Sequence, residues 1–209
     1  SITHVGAGQQ TSGGLAFNDG TVKFDSVTPG VTEAAGTIHT TDNMDLLGKG
    51  VVQVDAGSVS NDRPLPNTHV SLLEQDDTGS LIKLADSDAA VQGSGGNLEL
   101  HDASGNVISD GVTLDIVQDG TTVAKGTYDY RLTSGENNDG LYVNYGLTQV
   151  ELLGSGNDAL VLDANGKTGN AADLSAKITG SGDLALDSQK GETVSLSNMD
   201  NDYTGVTDV

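Results

Sequence analysis

The stretch GTYDYRLTSGENNDGLYVNYG, Gly126 to Gly146, decides how this chain is read. It holds four of the five tyrosines, Tyr128, Tyr130, Tyr142 and Tyr145; Tyr203, Phe17 and Phe24 are the other aromatics. Tyr128 and Tyr130 stand two residues apart, so in a strand they share one face. TSGENNDG between the tyrosine pairs is rich in turn formers. The pattern predicts a hairpin, TYDYRL against LYVNYG, with Tyr142 as cross-strand partner of the first pair. Tyrosine rings there would bury a large area and leave their hydroxyls at water.

Working outward, apolar residues alternate with polar ones in short runs. LAFN and TVKFD flank Asp19-Gly20, and VTLDIV and TTVAKG flank Asp119-Gly120, a strong hairpin signal. VVQV, HVSLL, SLIKLA, NLEL, TQVELL, ALVLDA, LSAKI, DLALD and TVSLS follow the same rule. Windows with helical spacing are rare. The chain reads as all-β.

Internal repetition narrows the architecture. A Gly-x-Gly corner precedes an alternating strand four times, at Gly48, Gly93, Gly154 and Gly180. The intervals are 45, 61 and 26 residues, close to two, three and one coils of roughly 20–26 residues, a solenoid period. Glycine tolerates the positive φ of sharp corners. Leu98 and Leu100 are expected to stack with Leu184 and Leu186. The segment 112–146 is expected to depart from plain coils through antiparallel pairing.

Composition excludes several classes. Nine Lys and Arg stand against 30 Asp and Glu, a net charge of −21. Nucleic acid and anionic membrane are disfavoured because repulsion replaces counterion release. There is no cysteine, so neither disulfides nor thiolate metal sites exist. No apolar run reaches the ~20 residues of a membrane-spanning helix. The opening SITHVGAGQQ and the ending TGVTDV both read as mid-domain sequence, so a piece of a longer, exported protein is expected.

Two motifs carry a resemblance. GTYDYRLTSGENNDGLYVNYGL resembles the autochaperone region of bacterial autotransporter passengers, and NDYTGVTDV resembles the autotransporter-associated repeat. Asn201, Tyr203, Thr204, Gly205, Thr207 and Val209 fill every named position of that repeat, and ITGSGDLALDS looks like its other half. The likeness covers roughly 89–209 and extends to 1–88 only in style. Two departures stand out: the second hairpin strand lacks the usual Trp, and coil-like sequence continues past it.

The resemblance implies a right-handed parallel β-helix with an inserted or capping hairpin. Coils would occupy 1–88, the autochaperone-like segment 89–150, and further coils 151–209. It implies type V secretion through the periplasm and outer membrane by a translocator β-barrel elsewhere in the full-length chain. It also implies display at the cell surface or release, with Tyr128, Tyr130, Leu132, Tyr142, Tyr145, Tyr203 and Gly205 as folding or structural residues.

Catalytic constellations are sparse. His4, His39, His69 and His101 are isolated from one another, and no nucleophile elbow occurs. Adjacent acids such as Asp76-Asp77 read as solvated turns in a chain with 30 carboxylates. A glycosidase needs paired carboxylates beside aromatic platforms, and aromatics are scarce. LGSGNDALV, Leu153 to Val161, fits eight of nine positions of the calcium-binding nonapeptide, which makes Asp158 the metal candidate. Tandem copies are missing, so no cofactor is expected, calcium remaining the alternative. The expectation is a non-enzymatic stalk or adhesin scaffold that meets a host-surface or bacterial-surface ligand, or associates with itself. Alternative readings are a calcium-binding repeat protein and a β-helical glycan-degrading enzyme.

Overall fold

The computed structural model describes residues 1–60, 72–76, 79–187 and 191–209. His69, Asp77 and the start of the predicted HVSLL strand lie outside them. The described residues contain strands and short 3-10 turns and no α-helix. The strands are β1 (Ile2–His4), β2 (Gly8–Ser12), β3 (Leu15–Ala16), β4 (Thr21–Phe24), β5 (Glu33–Thr40), β6 (Met44–Leu46), β7 (Val51–Val54) and β8 (Val59–Ser60). Next come β9 (Ser80–Ser87), β10 (Val91–Gly93), β11 (Glu99–His101), β12 (Val112–Gln118), β13 (Thr121–Thr133) and β14 (Gly140–Leu152). The last are β15 (Leu160–Asp163), β16 (Asp173–Leu174), β17 (Lys177–Gly180), β18 (Leu184–Asp187), β19 (Ser195–Leu196) and β20 (Thr207–Asp208).

Two compact units share the chain. The first comprises Ser1–Gly57, Gly79–Val112 and Tyr130–Tyr145; the second comprises Ser58–Thr78, Thr113–Asp129 and Gly146–Val209. The long strands β13 and β14 each contribute one part to either unit.

In the first unit, successive stretches of chain lay one strand on each of three ladders. These run β1-β4-β7-β11, β3-β6-β10 and β2-β5-β9, all parallel. Partners in β4 and β7 are 30 residues apart and in exact register, Val22 on Val52 and Phe24 on Val54. Leu100 then continues the column above Val52. All these side chains are buried. Burying one such side chain contributes about 1.5–3 kcal/mol. Ordering the backbone costs about 1–2 kcal/mol per residue. With every second residue facing inward, one strand barely offsets its own ordering, so stacking on a neighbour is what makes it stable.

The parallel pattern is interrupted at β9. Its next neighbour, the first part of β14, runs antiparallel, with a register shift between Leu141 and Tyr142. The second unit mixes both kinds of pairing. β15, β18 and β20 are parallel, with Leu160 on Leu184 and Leu162 on Leu186, and β16 and β17 pair in parallel with β19 and β14. β12 and β13 are neighbours joined by Asp119-Gly120 alone. Both turn residues have positive φ, 50° and 75°, the geometry of a tight hairpin turn. A two-residue link joins only antiparallel strands. The six residues between β13 and β14 impose the same sense, because a parallel crossover needs a dozen or more.

The fold is therefore all-β, as its alternation predicts. Its sheets are mixed, and antiparallel pairing falls in the segment where the turn signals place it. The stacking partners differ from expectation: Leu100 sits on Val52, and Leu184 and Leu186 sit on Leu160 and Leu162. Motif likeness cannot distinguish one Leu-x-Leu strand from another, whereas the ladder is set by the length of chain between corners.

Candidate functional site

The tyrosine strands are the most specialised part of the molecule. Along β13, burial alternates from Gly126 through Leu132, and Tyr128, Tyr130 and Leu132 all point inward. Room for the Tyr128 ring exists because residue 126 is glycine: a Cβ there would come within 2.9 Å of the ring and 3.1 Å of Ile116. Along β14, Leu141, Val143, Tyr145 and Leu147 are the inward set.

The hydroxyls of Tyr128 and Tyr130 are buried rather than left at water as the sequence suggests. Those of Tyr128, Tyr130 and Tyr145 are each bound to an irregular segment of their own unit. In the first unit, the Tyr130 hydroxyl donates to the Val27 carbonyl (2.7 Å), and the Gly30 N–H donates to the Tyr145 hydroxyl (3.0 Å). The two rings are 6.4 Å apart and tilted by 49°, a favourable aromatic arrangement. In the second unit, the Tyr128 hydroxyl donates to the Gln75 side-chain carbonyl. The tyrosines thus tie non-repetitive connections to the long strands.

Tyr142 departs from expectation. The ring partner of Tyr130 is Tyr145, on the neighbouring strand β14. Tyr142 is on the other face, over Gly135, where a Cβ would meet its ring at 2.6 Å. Its hydroxyl donates to Asp139 (2.8 Å). Partial burial, then the Asp139 hydrogen bond and charge, push its pKa well above the usual tyrosine range.

The terminal motif forms a stacked corner in the second unit. Asn201 accepts from the Ile178 N–H (2.7 Å), and Thr204 N–H donates to the Gly180 carbonyl (3.0 Å). Tyr203 and Thr207 share a hydroxyl–hydroxyl bond. Gly205 lies against the Gly182 carbonyl, leaving no space for a Cβ. Asp183 links this corner to an earlier one, accepting from Val206 N–H (2.8 Å) and Gly156 N–H (3.0 Å). Those two bonds, Val206 first, hold its pKa below the usual carboxylate range.

Asp158 is exposed on a 3-10 turn, Gly156–Asp158. Among the described residues no group of three or more His, Cys, Asp or Glu is placed to hold a metal ion.

Two polar clusters were not foreseen. In the first unit, His39 is sandwiched between Asp86 (2.6 Å) and Asp88 (3.0 Å), and Lys83 bonds the second oxygen of Asp86 (3.1 Å). Register makes this cluster, since β5 sets His39 beside Asp86 on β9. The carboxylates, Asp86 foremost, raise the His39 pKa. Burial works against ionisation of Asp86, but His39 and Lys83 outweigh it and hold its pKa low. Nothing in the linear sequence marks residues 47 apart as partners.

In the second unit, an open cleft of about 800 Å³ is lined by Leu73, Glu74, Asp76, Asn170, Ala171, Asp173, Ser175 and Ser197. Asp76 accepts from the Ser175 N–H, and burial raises its pKa. Asp173 accepts from the hydroxyls of Ser195 (2.7 Å) and Ser197 (2.5 Å). Among the described residues lining the cleft there is no His or Lys to activate a hydroxyl.

The chain is similar to two curated proteins of Escherichia coli (strain K12). The uncharacterized protein YuaQ is 58% identical over 209 residues, covering 99% of this chain and 15% of its own length. The uncharacterized lipoprotein YdeK is 40% identical over 223 residues, covering 99% of this chain and 16% of its own length. The chain thus spans about a sixth of these relatives. No family model and no solved structure matches it.

Proposed function

We propose that this chain is a non-catalytic segment of a bacterial cell-envelope protein, a right-handed parallel β-helical stalk of the autotransporter-passenger kind. The observation that carries the reading is the repeated delivery of one strand to each of three parallel ladders by successive stretches of the first unit. Such coils form an extended scaffold whose outward residues vary freely, which suits display, adhesion or self-association. The tyrosine strands serve as the folding nucleus of the segment. An envelope location is supported by the name of YdeK, a lipoprotein. Surface exposure by type V secretion follows from the motif resemblance.

The test uses antibodies raised against this chain and cells producing the full-length protein. Labelling of intact cells, with loss of signal on external protease, is the expected result. Labelling only after permeabilisation would sink the surface-display reading.

A further inference from the structure

Along β12 the inward positions are Leu114, Ile116 and Gln118, so a polar side chain stands where the alternation calls for an apolar one. Gln118 is only 4% exposed, and a buried amide needs partners. It finds both on one residue. Its Nε2 donates to the Val161 carbonyl (3.0 Å), and its Oε1 accepts from the Val161 N–H (3.0 Å). A neighbouring strand would offer Val161 the same donor and acceptor. Val161 lies on β15, the first strand of the ladder β15-β18-β20. Leu160 turns its N–H toward β18, to the Asp183 carbonyl (3.2 Å). Among the described residues no strand pairs with the other edge of β15, and the Gln118 amide fills that place. The adjoining ladders of this unit begin differently. β17 is laid on a true strand, β14, from Gln149 on Lys177 to Leu152 on Gly180. At the end of β16 the Asp76 carboxylate accepts from the Ser175 N–H, but an ionised carboxylate has no donor to give.

We propose that Gln118 is the starter of the β15-β18 ladder: its amide stands in for a preceding strand and fixes the register in which the parallel rungs are laid down. The inference rests on the folding-nucleus reading above and extends it to the point where the hairpin hands its order to the coils. Gln118 is the last residue of β12, directly before the Asp119-Gly120 turn, so the β12–β13 contacts are local and close early. Val161 is 43 residues away, and its strand has only one other neighbour, β18, which is later in the chain. An amide is the side chain suited to this task. Ionised carboxylates only accept and ammonium groups only donate, whereas Gln does both through two atoms of one plane.

The experiment is pulse-labelled amide exchange during refolding of the 209-residue chain, beside the variants Gln118→Met and Gln118→Glu. In the parent, amides of β12 and β13 should gain protection before those of β15 and β18. Gln118→Met removes both hydrogen bonds at similar length. It should leave the hairpin timing unchanged and delay β15 and β18 by roughly tenfold, while β17, served by β14, keeps its timing. Gln118→Glu should show the delay at neutral pH and lose it in acid, where a protonated carboxyl again offers a donor and an acceptor. Early hairpin protection with no delay in Gln118→Met overturns this inference and leaves the folding nucleus standing. Protection of β15 and β18 before the hairpin in the parent overturns both. A delay in Gln118→Glu that acid does not relieve assigns the effect to packing and overturns the inference as well; the parent and this variant decide it even if Gln118→Met fails to fold.

Discussion

Tyr130 and Tyr145 face each other 6.4 Å apart, and their hydroxyls hold two points of one loop through opposite roles. Tyr130 donates to the carbonyl of Val27, which is fully buried, and Tyr145 accepts from the N–H of Gly30, which is only half-buried. Tyr130→Phe leaves a buried carbonyl without its donor and should cost about 1–3 kcal/mol. Tyr145→Phe frees an N–H that water can reach and should cost about 0.5–1.5 kcal/mol. Urea unfolding of the two variants checks the order. A larger loss for Tyr145→Phe would mean that the loop is held by something other than these bonds.

The same pair shows what a sequence can reveal. Alternation along β13 marks Tyr128, Tyr130 and Leu132 as one face, and Asp119-Gly120 marks its turn, because both signals are local. The identity of the cross-strand partner depends on which face of the opposite strand each tyrosine occupies: Tyr142 and Tyr145 are an odd number of residues apart, Tyr145 is on the inward face, and it takes that place. The hydroxyl partners Val27, Gly30 and Gln75 lie 53 to 115 residues away, and no spacing rule reaches them. His39 and Asp86 are hidden for the same reason. The corner glycines were legible, because close backbone approach excludes every other residue type, but the ladder each one joins was not.

The His39 cluster should make the first unit most stable in weakly acidic solution. The folded pKa of His39 is raised, so its contribution is complete below 6.5, its unperturbed value, and is lost as pH rises through the folded value. The folded pKa of Asp86 is lowered, so its contribution is present above 3.8 and is lost as pH falls through the folded value. The cluster is therefore fully effective between 3.8 and 6.5. Melting temperature recorded against pH should fall from this window toward alkaline pH, and His39→Asn should flatten that limb. An unchanged limb in the variant would assign the pH dependence to other groups.

Gly36 and Gly6 form a matched test of corner stacking. A Cβ on Gly36 would collide with the carbonyl of Gly6, whereas one on Gly6 would meet only the Gln10 amide at 4.0 Å. Backbone cannot yield as a flexible side chain can, so Gly36→Ala should cost at least about 1–3 kcal/mol. Gly6→Ala should be neutral or stabilise by about 0.4–1 kcal/mol through the unfolded state. Equal effects in chemical denaturation would contradict the close packing of these two corners.

The folding role proposed for the tyrosine strands rests on rates, not on stability alone. Tyr128 and Tyr130 are almost completely buried, so each truncation to Ala should cost about 3–5 kcal/mol whether or not the strand forms early. The kinetic arms separate the cases. If β13 is structured in the transition state, the loss appears mainly as slower refolding; if it forms late, the loss appears as faster unfolding. Tyr128→Ala with Tyr130→Ala should therefore slow refolding from denaturant and leave the unfolding rate near that of the parent. The control must be inert. Asp19→Ala, an apparent surface change in the sequence, is unsuitable, because Asp19 holds φ 61° and its N–H donates to the Lys49 carbonyl (2.8 Å). Glu33→Gln, exposed on β5, replaces it and should alter neither arm. Parent-like refolding of the double variant, with all of its loss in unfolding, would leave the tyrosines as late-forming braces for the loops they bind.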